Sequence, residues 1–481
     1  MILNQGQKPL FETFEYLQDF EKNDKIQLIK LLKENISFHK LIPLSFFQKY
    51  NKSQGRNPYS LVSMIKAFFI KNVYGYSKIS MLIDLLSSSA SIRKFCGFSN
   101  KIPNKSKFSR FRQEYCDQLE NMFNSLVNIT EPICRKLGKN FASHLIYDTS
   151  GVNPYVKENN SRFFNNHLKK VKKKYKNKSK EDIYKIAYST MPKQSKTNEN
   201  IKLMYINGSF SYAYKFGLLT NAFGIVRQIS FVDDELISKY NKLNDFEYSD
   251  SPDNDKTIGD SNLLKPMLTE FFNNINPKYN YHTFLADAAL DKYEHYPMLL
   301  NDFKFKRALI PTNKRNSSND KPGGDFYYNQ EGIPVCSKYH LPFKSGGISN
   351  EKGRSTRHKF NCPKTKTVKR KRVCYCETPC SDSKYGRTTY TYPHQDLRAY
   401  PGIARNTEHF KKVYKRRTII ERTNHLFKNV MGIGNSVQRD SVSYKFDLFN
   451  CGITQLITLI LADKISCLNQ FKGLGVTLKS A

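Results

Sequence analysis

The stretch ASHLIYDTSG, residues 142–151, is where the sequence pattern changes from helical to extended. Its apolar residues Leu145, Ile146 and Tyr147 are followed at once by polar residues that begin with Asp148. A short apolar run that ends in turn residues is typical of a buried strand. The sequence therefore predicts a first strand here, with Asp148 at its carboxyl end.

The sequence downstream predicts the remainder of a sheet. Four more strands and one long helix are predicted, in the order SYAYKFGLLT (211–220), GIVRQISFVDD (224–234), the helix SNLLKPMLTEFFNNI (261–275), HTFLADAA (282–289) and FKRALIPTN (305–313). The first two form a hairpin around NAFG (221–224). Three strands, a helix and two further strands match the order of an RNase H-like fold. The predicted fold class is thus α/β (α+β), an RNase H-like mixed sheet flanked by helices.

Upstream of the first strand the pattern is helical. Apolar residues recur at helical spacing in PYSLVSMIKAFFIKNVYG (58–75), and a second helical pattern stops at Gly97. A third helix is predicted in NKSKFSRFRQEY (104–115), with Ser106 as its N-cap and with Arg110 and Arg112 facing outward. Such helices suit a helix-turn-helix-like DNA reader, although an ordinary helical bundle with solvated arginines has the same pattern.

The charge of the chain indicates a polyanionic partner. The formal net charge is +36, with 78 Lys and Arg against 42 Asp and Glu. Nucleic acid is the partner that such an excess favours. NHLKKVKKKYKNKSK (166–180) is expected to be a basic loop without an apolar face, which either contacts DNA or is simply solvated.

No membrane association is expected from the sequence. The N-terminus lacks the pattern of a secretory signal. The apolar run CGITQLITLILA (451–462) is too short to span a bilayer and contains Gln455, so we predict a buried core helix there. A cytoplasmic protein is expected.

Two aspartates at predicted strand ends are candidates for a metal site. Asp148 and Asp287 follow the first and fourth strands, which are neighbours in an RNase H-like sheet. Two carboxylates that converge repel each other unless a cation lies between them, which favours a divalent metal. A pair of metals needs a third acidic ligand, and Glu421 on a helix is the best candidate.

The helix YKRRTIIERTNHLFK (414–428) supports this choice. Tyr414, Arg417, Glu421 and Lys428 fall within about 60° of one face at helical spacing. A face with an acid, two bases and a phenol is suited to hold a metal and a phosphate together. A simple i,i+4 pair between Arg417 and Glu421, worth about 0.3–0.5 kcal/mol, is the alternative.

These residues resemble a known family. The spacing of Tyr414, Arg417, Glu421 and Lys428 is similar to the Tyr-Arg-Glu-Lys signature of bacterial insertion-sequence DDE transposases of family four and its relatives. LIYDTSG (145–151) and FLADAALD (284–291) resemble the two aspartate motifs of that family, and the resemblance covers most of residues 55–465. Such enzymes usually have Gly-Tyr soon after the second aspartate. This chain does not, which leaves Asp291 as a competitor to Asp287.

The resemblance implies a mechanism. Asp148, Asp287 and Glu421 would hold two Mg²⁺ ions, for which Mn²⁺ can substitute, and phosphoryl transfer would depend on positioning and charge stabilisation. Arg417 and Lys428 would bind DNA phosphates, together with Arg110 and Arg112 of the N-terminal helices. Tyr414 would contact the terminal phosphate or a displaced base, and a role as covalent nucleophile is the less favoured alternative.

The resemblance also implies an activity and partners. A transposase would bind the terminal inverted repeats of its element, cleave at the ends and join the 3′-hydroxyl to target DNA. A metal-dependent nuclease without strand joining, and a DNA-binding relative that does not cut, are the alternatives. The partners would be double-stranded DNA and a second copy of the chain, in the nucleoid of a bacterial cytoplasm.

The segment before the Glu421 helix contains half of the cysteines. Five of the ten lie there: Cys336, Cys362, Cys374, Cys376 and Cys380. They could supply four ligands to a structural Zn²⁺, with His340 and His358 nearby, or they could be free thiols in a β-rich insertion. The expected domains are a helical DNA-binding domain (1–135), a first part of the catalytic core (140–312), the cysteine-rich insertion (313–407), a second part with the Glu helix (408–466) and a tail (467–481).

Overall fold

Before the first strand, all the regular secondary structure described in the computed structural model is helical. The structure describes residues 24–52, 59–99, 101–206, 209–233, 235–238, 259–313, 325–329, 333–351, 353–392, 397–405, 407–436 and 438–471. The helices before the sheet are α1 (Asp24–Asn35), α2 (Phe38–Leu41), α3 (Leu44–Lys52), α4 (Leu61–Val73), α5 (Ile79–Ser88), α6 (Ala90–Cys96), α7 (Lys105–Glu114) and α8 (Cys116–Ala142).

Local sequence explains where these helices begin and end. Ser60 caps α4 by accepting a hydrogen bond from the backbone NH of Ser63, and α6 ends at Gly97, whose φ of 82° is the left-handed conformation that glycine adopts most easily. The predicted stop at Gly97 is therefore confirmed. The predicted N-cap of α7 is wrong, because Asn104 rather than Ser106 accepts the hydrogen bond, from the NH of Lys107.

The outward orientation predicted for Arg112 is also wrong. Its side chain is 3% exposed, lies over the Phe68 ring and donates to Asp447 Oδ2 at 3.1 Å. Arg110, on the same helix, is exposed as predicted. Helical spacing alone could not separate them, because Arg112 finds its counter-ion 335 residues further along the chain.

A six-stranded mixed sheet forms the centre of the molecule. The strands are β1 (His144–Val152), β2 (Lys202–Ile206), β3 (Ser209–Thr220), β4 (Val226–Phe231), β5 (Thr283–Leu285) and β6 (Arg307–Leu309). Strand β1 pairs antiparallel with β3 and parallel with β5, and β6 continues the sheet parallel to β5. The order along the sheet is β2-β3-β1-β5-β6, with β4 also paired to β3.

The predicted strands and their order are confirmed, with one addition. The hairpin turn at 221–224 joins β3 to β4, and the predicted helix is α11 (Asp260–Asn274), which precedes β5 and β6. The short helix α12 (His295–Pro297) lies between β5 and β6. Strand β2 was not predicted. The molecule is thus a mixed α/β fold, as expected.

The predicted basic loop at 166–180 is wrong, because most of this segment lies in a helical hairpin. Helices α9 (Ser161–Lys174) and α10 (Lys180–Ser189) pack against each other through a small apolar cluster that contains Leu168, Val171, Ile183 and Ala187. The segment alone shows only two of these apolar residues, and the other two come from α10. Eight lysines between 169 and 180 remain exposed on this hairpin.

The last long helix, α15 (Ser441–Lys464), runs through the core against α8, α4 and β4. It is long and apolar enough to cross a membrane, but 94% of its apolar window is buried inside the molecule. The predicted core helix at 451–462 is confirmed. At Gly452 an added Cβ would lie 2.7 Å from a ring carbon of Phe123, so the close approach of α8 requires glycine.

The segment between β6 and the Glu421 helix forms small sheets. Its strands are β7 (Phe326–Tyr328), β8 (Pro334–Cys336), β9 (Lys344–Ser349), β10 (Arg357–Asn361), β11 (Thr365–Val368), β12 (Lys371–Cys374) and β13 (Thr388–Thr391). β9, β10 and β13 form one sheet, while β7–β8 and β11–β12 are separate hairpins. The chain then continues into α13 (Glu408–Tyr414) and α14 (Ile419–His425), which carry Tyr414 and Glu421.

Candidate active site

Three acidic side chains from distant parts of the chain meet beside the sheet. Asp148 lies in β1, opposite Leu218 of β3, and Asp287 lies two residues beyond the end of β5. Glu421 lies on α14, which packs against β1. Strand β1 continues to Val152, so Asp148 is not at the strand end that the sequence predicted. The parallel pairing of β1 with β5, however, ends at Ile146, two residues before Asp148.

A single guanidinium joins the three carboxylates. Arg417 Nη2 lies 3.3 Å from Asp148 Oδ1 and 3.2 Å from Asp287 Oδ2, and Nη1 bonds to Glu421. The oxygens of the two aspartates are therefore no more than about two hydrogen-bond lengths apart. The i,i+4 pair between Arg417 and Glu421 is confirmed, and the same guanidinium also reaches the two aspartates.

Burial makes Asp148 the most perturbed carboxyl group of this site. Burial raises its pKa to about 6, and the charges of Asp260 and Asp287 act in the same direction, while Arg417 partly opposes them. Asp287 and Glu421 are more open, with side chains 57% and 54% exposed against 20% for Asp148. The site thus combines one buried carboxylate with two that face solvent.

Asn424 is a site residue that the sequence did not reveal. Its Nδ2 donates to Asp148 Oδ2 at 3.0 Å, so Asp148 is held by Asn424 on one oxygen and by Arg417 on the other. Asn424 follows Glu421 by three residues, which places the two on one helical face. That spacing was available in the sequence, but an asparagine in a helix is too common for it to mark a site.

The helix that carries the predicted face is broken rather than continuous. A 3₁₀ turn (Lys415–Thr418) separates α13 from α14, and a π-helical turn (Leu426–Val430) follows α14. The face calculated for an ideal helix is therefore only approximate. The wider π turn carries Lys428, which is near enough to Asp148 for that carboxylate to raise its pKa, although burial lowers the pKa overall.

Tyr414 lies at the edge of the site. Its ring stacks on Phe410 with centroids 5.9 Å apart. Burial raises its pKa to about 12, with Arg417 opposing this shift and Asp287 and Glu421 adding to it. A phenol that stays protonated at neutral pH is a hydrogen-bond donor, which disfavours the nucleophilic role.

Asp291, the competitor of Asp287, belongs to a different network. It is fully buried, bonds to Arg398 Nη2 at 2.6 Å and accepts hydrogen bonds from Tyr296 OH and from the NH of Asn313. Burial raises its pKa, but these hydrogen bonds outweigh burial, so the pKa is lowered. Asp291 thus anchors the returning end of the 313–407 segment and takes no part in the carboxylate site.

The donor set of the acidic site suits a hard divalent cation. Three carboxylates and a neighbouring amide, all oxygen donors, are the ligands that Mg²⁺ prefers. As the side chains stand in the described residues, no three His, Cys, Asp or Glu groups are close enough to hold an ion. In the acidic site, the guanidinium of Arg417 lies among the carboxylates instead.

Comparison with known families concerns the helices before the sheet. Residues 15–114 match the family model of a transposase domain (DUF772). The match supports a transposase family. Curated proteins gave no match to the chain. The matched residues end with α7, so they do not include the acidic site. A transposase family suggests a DNA-cleaving enzyme.

Proposed function

We propose that the chain is a DNA transposase that binds the terminal repeats of an insertion sequence, cleaves at the ends and joins the 3′-hydroxyl to target DNA. The observation that carries this proposal is the convergence of Asp148, Asp287 and Glu421 on one cation, Arg417. The transposase-domain match in the same chain independently favours DNA as the substrate.

The sheet supports an RNase H-like assignment for the catalytic core. Its strands β4, β3 and β1 are consecutive antiparallel neighbours, and β5 and β6 continue from β1 in parallel. β5 runs parallel to β1 and ends earlier, so the residues that follow β5 lie near the middle of β1. The helix with Glu421 packs over that region and supplies the third acid.

The three acids are the residues that would hold two Mg²⁺ ions, and Mn²⁺ would fit the same oxygen donors. When bound, the ions would supply Lewis-acid activation of the attacking hydroxyl and stabilisation of the leaving oxygen. Asn424 would keep Asp148 oriented through the hydrogen bond to Oδ2.

The basic residues of the site would bind the DNA backbone. Arg417 would leave the carboxylates when they take up metal, and its guanidinium would then bind a phosphate in bidentate fashion. Lys428, which interacts electrostatically with Asp148, would place a second positive charge near the same phosphate. Tyr414 would donate a hydrogen bond to the terminal phosphate or stack on a displaced base.

The assembly implied by this activity is a dimer on double-stranded DNA. Two element ends must be brought together, which needs two copies of the active site. The helices before the sheet, with the exposed Arg110, would provide DNA recognition, and the net charge of +36 suits a large phosphate surface. The bacterial cytoplasm, with its nucleoid, is the expected location.

The decisive experiment uses pre-cleaved element ends, a target plasmid and Mg²⁺. The wild-type chain should nick DNA at the ends and join them to the plasmid. Asp148→Asn, Asp287→Asn and Glu421→Gln should each lower nicking by about 10³-fold or more, because each removes a metal ligand. Glu408→Gln is the matched control, since Glu408 is an exposed acid on α13 that pairs only with Lys411 among the described contacts.

Other outcomes would identify a different function. Hydrolysis without strand joining would favour a metal-dependent nuclease. Binding without any nicking would favour a DNA-binding relative. Nicking that survives all three substitutions would rule out the acidic site as the active site.

A further inference from the structure

All five cysteines of the 313–407 segment line one small cavity. They come from separate positions: the last residue of β8, the residue after β10, the last residue of β12 and the loop that follows β12. The free volume of the cavity is about 10 Å³, roughly the space that one water-sized sphere needs. A cavity of this size can take a single ion and is too small for an organic ligand.

Four of the five thiols form a set around Cys362. Cys336 and Cys362 are buried in one apolar cluster, Cys374 lies beside Cys362 across Gly386, and Cys380 lines the same cavity. Cys376 differs, because its Sγ is directed to Tyr339 OH at 3.6 Å and to the carbonyl oxygen of Thr378 at 3.4 Å.

The backbone around the cavity brings two of these cysteines together. A Cβ added at Gly386 would lie 3.4 Å from the Cβ of Cys362 and 3.5 Å from the Cβ of Cys374. The NH of Cys362 bonds to the carbonyl of Arg387, and the NH of Cys374 bonds to that of Lys384. The loop at Gly386 therefore holds the ends of β10 and β12 side by side.

The hydrophobic core of this segment is too small to explain its order. The buried apolar cluster consists of Ile333, Cys336, Phe343, Phe360 and Cys362, with two partly buried aromatic rings beside it. Two of its five members are cysteines of the cavity. Small units with so little buried apolar surface usually depend on a metal or on disulfides, and all ten cysteines are free thiols in this structure.

We propose that Cys336, Cys362, Cys374 and Cys380 bind one structural Zn²⁺ ion and that Cys376 is not a ligand. As placed, no three described side chains stand at coordination distance, so binding requires the thiols to turn into the cavity. Each ligand loses a proton, so one Zn²⁺ replaces four protons and the four-thiolate centre carries a charge of −2. Lys338, Lys364 and Arg387 also line the cavity and would offset this charge.

The test measures metal on the full-length chain, purified in reducing buffer without added chelator. Elemental analysis should find a stoichiometric amount of zinc. Cys362→Ser and Cys380→Ser should lose most of it, whereas Cys376→Ser, the matched control, should keep it. Since the first two variants could unfold the segment, wild-type chain grown with Co²⁺ gives a second readout, which should be the visible absorption of tetrahedral thiolate-bound cobalt.

Three results would overturn the proposal. One is wild-type chain without stoichiometric zinc and without that cobalt absorption. Another is loss of metal from Cys376→Ser equal to the loss from Cys380→Ser. The third is a disulfide between these cysteines inside the cell. Alkylation of the free thiols at lysis, followed by mass spectrometry, would detect it. None of these results depends on the acidic site, so they test the zinc proposal independently of the transposase activity.

Discussion

At the residue scale, Arg417 is the residue that joins the three acids of the site. It contacts Asp148, Asp287 and Glu421 at once, although its own side chain is only 13% exposed. A cation that neutralises several carboxylates keeps them together and limits their repulsion. We infer that this internal cation preforms the site and that bound metal would take its place among the carboxylates.

From the raised pKa of Asp148 we predict how the free energy of unfolding depends on pH. The pKa of this carboxyl is about 6 in the folded chain, whereas in the unfolded chain it has its ordinary value of 3.8. The folded state therefore binds more protons between these two values, and the stability contributed by this group falls as pH rises through them. In chelator, Asp148→Asn should be more stable than wild type by about 1–3 kcal/mol at pH 7, with little difference at pH 4.

Urea unfolding of both proteins at pH 4, 5, 6 and 7 measures this difference. The stability gap should open between pH 4 and pH 6 and stay constant above. A stability difference that does not change with pH would mean that burial does not raise the pKa of Asp148. The same variant should be inactive, which would mark the buried carboxylate as a residue kept for function at a cost in stability.

At the element scale, the α9–α10 hairpin is the largest addition to the sheet that the sequence did not predict. It follows β1 after one 3₁₀ turn, and its own small core leaves the lysines of α9 on the outside. A helix with an apolar stripe and a basic outer face is suited to lie along a phosphate backbone. We expect it to contact DNA rather than to be merely solvated.

Neutralising three exposed lysines of α9 tests this expectation. Replacing Lys169, Lys170 and Lys173 by Gln should weaken DNA binding and lower the slope of log K against log salt by up to about 3, since each phosphate contact contributes about 0.9. The triple replacement by Arg keeps the charge and is the matched control. Fluorescence anisotropy at several KCl concentrations gives the slope, and an unchanged slope in the Gln variant would show that the hairpin is only solvated.

The broken helix from Glu408 to Val430 is the second feature at this scale. An uninterrupted helix would place Tyr414 and Lys428 by a fixed rotation from Glu421. The 3₁₀ turn and the π turn change that rotation at either end of α14. π turns inside helices are frequent at functional sites, and here the π turn carries Lys428.

At the scale of the whole molecule, α15 joins the N-terminal helices to the sheet. One continuous hydrophobic core extends from α1 to α15. Asp447 of α15 also bonds to Lys71 of α4 at 3.2 Å and to Arg112 of α7 at 3.1 Å, and all three side chains are buried. The matched transposase domain and the sheet should therefore unfold together.

Removing Asp447 tests this coupling. Asp447→Ala leaves two buried cations without their counter-ion and should lower the free energy of unfolding by about 3–5 kcal/mol. Asp463→Ala is the control on the same helix, because its partner Lys136 is 61% exposed and the pair is worth less than about 1 kcal/mol. Urea unfolding should give one transition for both variants. Equal destabilisation by the two substitutions, or separate transitions, would contradict the coupling.

Most of the elements and the candidate acids can be predicted from the sequence alone. Local periodicity was enough for α4, for the hairpin of β3 and β4, and for the core helix at 451–462, because each pattern lies within one stretch of chain. The spacing of Tyr414, Arg417, Glu421 and Lys428 was equally local. Asp148 and Asp287 could be named because polar residues directly after apolar strands are visible in the sequence.

Which charged groups contact each other depends on the tertiary fold. Arg112 had a surface-like and Asp291 a site-like sequence pattern, yet each is buried against a charged partner far away in the chain. The apolar face of α9 is buried against the next helix, α10. The convergence of Arg417 on Asp148 across 269 residues, and that of the four thiols around one cavity, likewise depend on long-range packing. Hydrophobic periodicity shows whether one face of a helix or strand is buried. Which side chain that face contacts is determined only by the tertiary fold.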